Sequence, residues 1–203
     1  MITEQQFTDA AKTIGCKVST IKAVYFVETA GHGYLADGRV KILFEGHRFW
    51  KQLKKAGANP AKFIAGNQYY SNVVYESWNK SHYKGGAAEW NRVSLAIEVC
   101  SKLGVSPLLA LNSTSFGSFQ IMGENCLMAG YATSQEMLAA FNIGGEAEQL
   151  KAFVNFVKAR KLDDELRDGN FKAFADGYNG TQSRQNRYAE RMEIEDKRYS
   201  MAA

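Results

Sequence analysis

The chain has 203 residues, 45% of them hydrophobic, and 25 Lys and Arg against 21 Asp and Glu leave a net charge of +4. That balance excludes a disordered tail, and a chain of this length buries roughly 70% of its unfolded surface without staples. No apolar stretch approaches the ~20 residues that span a bilayer, so stable membrane insertion is not expected.

In chain order, Thr3 and Gln6 form a possible capping box for a first helix over 4–14, which Gly15 ends. Ser19 can cap a second helix running to about Glu28. Residues 33–44, GYLADGRVKILF, place an Asp37-Gly38 turn between two short extended pieces and predict a small hairpin. Helix returns over 46–56 and stops at Gly57. Asn59-Pro60 and Ser106-Pro107 are the two prolines with a capping residue before each, where helices start. Residues 67–86 are rich in Tyr, Asn and Ser without a period and predict a long functional loop.

A helix over 87–103 carries Trp90, Val93, Ile97 and Cys100 at core spacing. Shorter helices are expected over 107–112, 123–129 and 134–142. A longer one over 145–161 carries the stripe Leu150, Phe153, Val154 and Val157, followed by helices over 170–178 and 184–198. Without repeat, linker or composition break, the expectation is a single α+β domain over 1–203, predominantly α-helical, with its small β element near 33–44.

Several chemistries are disfavoured. Cys16, Cys100 and Cys126 are an odd count without CxxC spacing, so buried thiols in a reducing compartment are expected rather than disulfides or zinc. His32, His47 and His82 make no HExxH, and no P-loop is present. Nothing indicates a metal or organic cofactor. The residues at 184–198 mix RQNR and KR with EIED, a solvated helix face rather than a nucleic-acid surface.

The carboxylates are more informative. Ile21, Val24, Tyr25 and Glu28 fall at i, i+3, i+4 and i+7, so Glu28 prolongs an apolar stripe in the last turn of its helix. A carboxyl against apolar walls loses hydration and its pKa rises, as a general acid near neutral pH requires. The alternative is a helix-end Glu that points to water. Asp37 has a plain structural task in its turn. Glu45 follows the apolar run ILF and opens a helix, where the N-terminal dipole favours an acid; it can equally be the partner of Glu28. Two carboxylates flanking a sugar bond are the usual equipment for glycoside hydrolysis. Two later segments are weaker signals on their own: STSFGSFQIMG at 113–123, with Ser115 and Gln120, and YNG at 178–180, where Tyr178 leaves a core face beside Asn179.

Together and in this order, these features resemble the layout of lysozyme-like enzymes: a helix-end Glu, then S-x-G-x-x-Q-[IV], then a late Y-N-x-G-like element. The front segment VETAGHGYLADGRVKILFEGHRFW resembles V-E-S-G-G-x-G-[FY]-x-x-D-G-R-P-x-I-L-F-E-x-H-x-F, the signature of the N-acetylmuramidase domain of phage and prophage endolysins. The resemblance covers about residues 18–190. Thr29, Ala30 and Val40 depart from it where Ser, Gly and Pro are usual, and both glutamates stand.

The resemblance implies a lysozyme-like fold, with Glu28 as the general acid; many relatives also carry a separate peptidoglycan-binding module, for which no room is expected in these 203 residues. It implies Glu45 as the group that directs water, and Ser115, Gln120, Tyr178 and Asn179 as lining for a saccharide cleft. Tyr178 would orient Glu28 by a hydrogen bond or stabilise positive charge on the reacting sugar. His47 is expected to pack or to support a neighbour. Tyr69, Tyr70, Tyr75 and Trp78 either stack on sugars or merely pack.

The expected activity is hydrolysis of the β-1,4 bond between N-acetylmuramic acid and N-acetylglucosamine, by a monomer acting on peptidoglycan glycan strands. Alternatives are a lytic transglycosylase, which needs no second carboxylate, and a non-catalytic cell-wall-binding module. The N-terminal MITEQQFTDAAKTIG lacks the basic start and apolar run of a conventional signal peptide. Synthesis in the cytoplasm is therefore expected, with action in the periplasm after holin-assisted release, injection as an effector, or as a domain of a longer protein.

Overall fold

The computed structural model describes residues 1–29, 33–180 and 187–202. Its first helix, α1 (Glu4–Ile14), opens on the expected reciprocal cap. Thr3 Oγ1 accepts from Gln6 N–H at 3.2 Å, while Gln6 Oε1 accepts from Thr3 N–H at 2.8 Å. Gly15 closes it in the left-handed conformation, and Phe7, Ala10, Ala11 and Ile14 are buried. Helix α2 (Val18–Thr29) differs from expectation at its start: it opens at Val18, so Ser19 lies inside the helix and is buried. The Lys17 carbonyl receives the first amides, those of Thr20 and Ile21, and no side-chain cap from Ser19 is needed. Helix α2 is apolar nearly all round because it is covered on two sides, by α1 and by the last helix, α11 (Tyr188–Met201).

The expected hairpin over 33–44 forms only as one bridge, between Tyr34 and Val40. Gly38, at φ +83°, permits the turn, and Asp37 Oδ1 accepts from Arg39 N–H at 3.1 Å. A ribbon this short is marginal alone. The following strand β1 (Ile42–Phe44) instead pairs antiparallel with β2 (Thr114–Phe116), which pairs with β3 (Ile121–Met122), in the order β1-β2-β3. Burial of Ile42, Phe44 and Phe116 against the helices chooses the distant partner over the local one.

Helix α3 (Gly46–Lys55) buries Phe49 and Leu53, and α4 (Pro60–Gly66) starts on the expected Asn59 cap, which accepts from Lys62 N–H at 2.9 Å. The 67–86 segment holds two single 3₁₀ turns, Gln68–Tyr70 and Lys80–His82, and otherwise runs irregularly. In α5 (Ala88–Leu103) the inward face is rotated from the expected one. Ile97 is 39% exposed, whereas Glu89, Arg92, Val93, Ala96, Val99 and Cys100 are buried. A hydrophobicity stripe misplaces this helix because an ion pair, Glu89 with Arg92, occupies its core side.

Helices α6 (Leu108–Asn112) and α7 (Cys126–Ala129) bracket β2 and β3. The two helices expected over 134–142 and 145–161 are present as the two arms of α8 (Ser134–Ala159), which meet at the non-helical Gly145, φ +66° and ψ −156°. A short α9 (Asp163–Arg167), which no pattern announced, leads to α10 (Phe171–Asn179). The expected start of the last helix at 184 lies outside the described residues. One apolar cluster runs from Phe7 through Phe44, Phe116 and Phe153 to Met192, tying helices and sheet together. The three cysteines are free thiols, Cys100 and Cys126 buried and Cys16 partly so. Among the described residues no helix is long and apolar enough to cross a membrane.

Candidate active site

Glu28 stands in the last turn of α2, on the stripe of Ile21 and Val24, both buried. Removal from water dominates its titration and pushes the carboxyl up from 4.5 to about 7, against smaller opposing effects from Asn179 and Arg191. Asn179 Nδ2 donates to Glu28 Oε1 at 2.9 Å. Asn179 is the last residue of α10, and Arg191 belongs to α11, so three helices converge on one carboxyl. The ionised form of Glu28 would also raise the neighbouring phenols of Tyr178 and Tyr188, for which burial is the larger cause.

Tyr178 does not bond to Glu28. Its hydroxyl donates to the carbonyl of Phe119 at 3.0 Å, and its ring packs among Phe153, Phe156 and Phe174. Tyr178 thus fixes α10 to the β2–β3 turn, and the adjacent Asn179 makes the bond to the acid. The helical period explains the exchange: a residue on the packed stripe of α10 is committed to the core, and its neighbour points along the edge.

The turn itself is tightly specified. Gln120 adopts φ +49° and Gly117 φ +74°. Ser115, only 5% exposed, donates from Oγ to Gln120 Oε1 at 2.8 Å and lies 3.3 Å from the Leu43 carbonyl. Gln120 Nε2 donates to the Gly117 carbonyl at 2.7 Å. Behind the turn, buried Gln149 accepts from Ser118 N–H at 2.7 Å. A β-carbon on Gly117, at φ +74°, would stand 2.6 Å from Gln149 Oε1, and one on Gly33 2.3 Å from Ser118 Oγ, so a side chain at either position would displace the Ser118–Gln149 contact. Ser115 and Gln120 are thus brought together, with the serine as the support.

Glu45 occupies the junction of β1 and α3. Its amide donates to the Ser113 carbonyl at 2.8 Å, and its carbonyl receives the amides of Arg48 and Phe49. The carboxylate, at the N-terminal end of α3, caps no amide of that helix. Instead Oε2 accepts from the Tyr83 hydroxyl at 2.5 Å and lies 3.3 Å from His47 Nδ1. Burial raises the Glu45 carboxyl, with Tyr83, Arg48 and Arg92 opposing and Glu89 reinforcing. His47 is shifted down by burial and then by Arg48 and Lys51, which favours a neutral ring beside the carboxylate.

Beneath Glu45 is a polar network that the sequence did not announce. Arg92 Nη1 donates to Glu89 Oε2 at 2.7 Å and to the Phe44 carbonyl at 2.9 Å. Glu89 also accepts from the amides of Phe44, Lys84 and Gly85. The Tyr75 hydroxyl accepts from Gly46 N–H and from Arg92 Nη2, each at 3.2 Å. The Tyr75 ring stacks on His82 at 3.8 Å. Tyr83 lay in a segment without motif or period, where the Tyr-rich composition of 67–86 was the signal; Glu89 and Arg92 lay in the helix expected over 87–103 but off its apolar stripe.

The two carboxylates are therefore held separately, each in its own set of partners, but both are referenced to β2 and its turn. Glu45 hangs on Ser113 at one end, and Glu28 is reached through Phe119, Tyr178 and Asn179 at the other. A half-desolvated acid titrating near neutrality and a second carboxylate poised by a phenol can perform acid-assisted bond cleavage.

A match to the N-acetylmuramidase family spans residues 17–200. The crystal structure of a Burkholderia AP3 phage endolysin superposes with a TM-score of 0.85 at 35% sequence identity, covering 98% of this chain and 72% of that one. No curated protein sequence matches. With the matched span running from the start of α2 into α11, and so across both carboxylates, the chain belongs to the N-acetylmuramidase family, glycosidases that cleave peptidoglycan.

Proposed function

We propose that the chain hydrolyses the β-1,4 bond between N-acetylmuramic acid and N-acetylglucosamine in peptidoglycan, with Glu28 as the general acid. The observation that carries this reading is the Glu28 carboxyl, pushed up to about 7 by desolvation while Asn179 holds Oε1. At neutral pH a substantial fraction is protonated, and the Asn179 bond leaves Oε2 to carry the proton. In the proposed step Oε2–H protonates the glycosidic oxygen as the C1–O bond breaks and positive charge develops at the muramyl carbon.

Glu45 then takes a proton from water as its oxygen attacks that carbon. Its support is the Tyr83 hydroxyl and the N-terminal end of α3, which keep a charge in place in a poorly hydrated site. Attack from the opposite face inverts the anomer, which requires the two carboxyls to stand roughly 6.5–9.5 Å apart. Gln120 and Asn179 line the saccharide cleft, with Ser115 and Tyr178 behind them as supports. The action is on the cell wall, from the periplasmic side, by a monomer.

Glu28→Gln keeps the shape and removes the ionisable acid. Loss of clearing of a peptidoglycan suspension supports the assignment, and clearing at the wild-type rate overturns it.

One observation favours a second reading, a lytic transglycosylase. The Glu28–Asn179 unit is complete without Glu45, so the muramyl 6-hydroxyl is an alternative nucleophile. Mass spectrometry of the fragments separates the two, with reducing ends for hydrolysis and anhydromuramyl ends for transglycosylation.

A further inference from the structure

We infer that Trp78 is a stacking platform for one pyranose ring of the glycan, forming a saccharide subsite on the Glu45 side of the cleft. The inference rests on the proposed function and extends it to a residue outside the catalytic pair.

The aromatics of the 67–86 segment divide by what they touch. The Tyr70 hydroxyl donates to Glu98 at 2.5 Å and its ring is buried. Tyr75 is fixed by Gly46, Arg92 and the His82 ring, and Tyr83 by Glu45. Tyr69 is exposed, and its ring contact is with Tyr70, whose hydroxyl is tied to Glu98 on α5 rather than to either candidate carboxylate. Trp78 is 52% exposed and meets the Tyr83 ring at a steep angle, 6.4 Å between centroids. The hydroxyl of that Tyr83 ring donates to Glu45, so one residue links the indole to the carboxylate.

Its surroundings make it a prepared surface rather than a loose side chain. Asn79 Oδ1 accepts from Ser81 N–H at 2.9 Å and caps the 3₁₀ turn that follows. The Tyr75–His82 stack closes the segment across Trp78, and the Lys84 and Gly85 amides are held by buried Glu89. The other two tryptophans are packed against the core, with Trp90 Nε1 donating to the Val40 carbonyl at 3.0 Å. An indole held in place with half its surface in water leaves apolar area that a ligand can cover at small entropic cost. A pyranose has the complementary form: axial C–H groups make one apolar face, and hydroxyls and the N-acetyl group ring its edge, where the exposed Asn79 and Lys80 lie alongside.

The test is a fluorescence titration of the full chain carrying Glu28→Gln with an N-acetylglucosamine tetramer. The tetramer should change tryptophan emission. Adding Trp78→Ala should abolish that change and weaken binding about tenfold, the scale of a lost aromatic contact. Trp78→Phe should restore most of the affinity. In the chain with Glu28 intact, Trp78→Ala should raise KM for solubilised peptidoglycan about tenfold while kcat falls less. Wild-type affinity and an unchanged emission response in Trp78→Ala overturn the inference. So does an equal loss in Trp78→Ala and Trp78→Phe accompanied by a lowered Tm, which makes Trp78 a structural prop. Binding only to lipid vesicles, and not to the tetramer, overturns it too. Clearing of cell walls by Glu28→Gln alone would refute the acid assignment and leave the tetramer titration to be judged by itself.

Discussion

Asn179 reaches across 151 positions of sequence to donate a 2.9 Å hydrogen bond to the carboxyl of Glu28. One residue ends α10 and the other stands in the last turn of α2, so this bond exists only in the folded chain. Donation to the carboxyl favours its charged form, and desolvation opposes it. Desolvation is the larger, and the balance lies at about 7. Removing the donor should tip that balance further. In Asn179→Leu the pKa of Glu28 should rise, moving the alkaline limb of the kcat/KM profile to higher pH. Loss of orientation should lower kcat by about tenfold. A pH–rate profile together with an NMR titration of Glu28 checks both.

Glu28 itself should leave a signature in stability. An acid whose folded pKa lies above its unfolded one binds more protons when folded between the two values, so stability falls as pH rises through that window. For Glu28 the window runs from 4.5 to about 7. The full loss above it is on the order of 3 kcal/mol. Glu28→Gln abolishes the effect. Its denaturation midpoint should match wild type at about pH 4 and exceed it at about pH 8, while activity falls ~10²-fold or more. Urea denaturation at the two pH values, beside turbidity clearing, measures this.

At the second carboxylate, Tyr83→Phe removes the hydroxyl that donates to Glu45 at 2.5 Å. That donor holds the carboxyl down against burial, so the Glu45 pKa should rise. A base with a higher pKa is charged only at higher pH. The acid limb of the hydrolysis profile should therefore shift upward, narrowing the active range from below, with kcat at its optimum reduced about three- to tenfold. Glu45→Gln should cost more than Tyr83→Phe. An equal cost for the two would assign Glu45 to substrate binding rather than to water.

The buried pair beneath Glu45 gives a stability prediction distinct from catalysis. Glu89 is fully buried and Arg92 1% exposed, joined at 2.7 Å. Burial pushes the Glu89 carboxyl up, but the amides of Lys84, Phe44 and Gly85 and the Arg92 guanidinium outweigh it, and its pKa is lowered. Glu89→Ala leaves Arg92 buried and unpaired and should cost about 3–5 kcal/mol, read from denaturant unfolding. The 67–86 segment should loosen first, seen as faster amide exchange at Lys84 and Gly85.

The sequence by itself determined the helical punctuation. Thr3 with Gln6, Gly15, Asn59 with Pro60 and the stripe of Leu150, Phe153, Val154 and Val157 all sit where the spacing put them, because caps and stripes are decided within one or two turns. It also determined that Glu28 prolongs an apolar stripe, and through its motifs the family. Tertiary structure decided what depends on long-range neighbours. It paired β1 with β2 rather than with its near side, because a few-residue hairpin buries too little to stand alone. It turned α5 so that Glu89 and Arg92 face inward and Ile97 outward, because a paired and fully hydrogen-bonded charge can occupy a core position that hydrophobicity assigns elsewhere. It gave the bond to Glu28 to Asn179 and kept Tyr178 for Phe119, since the direction of a side chain at a helix end is set by what the helix packs against.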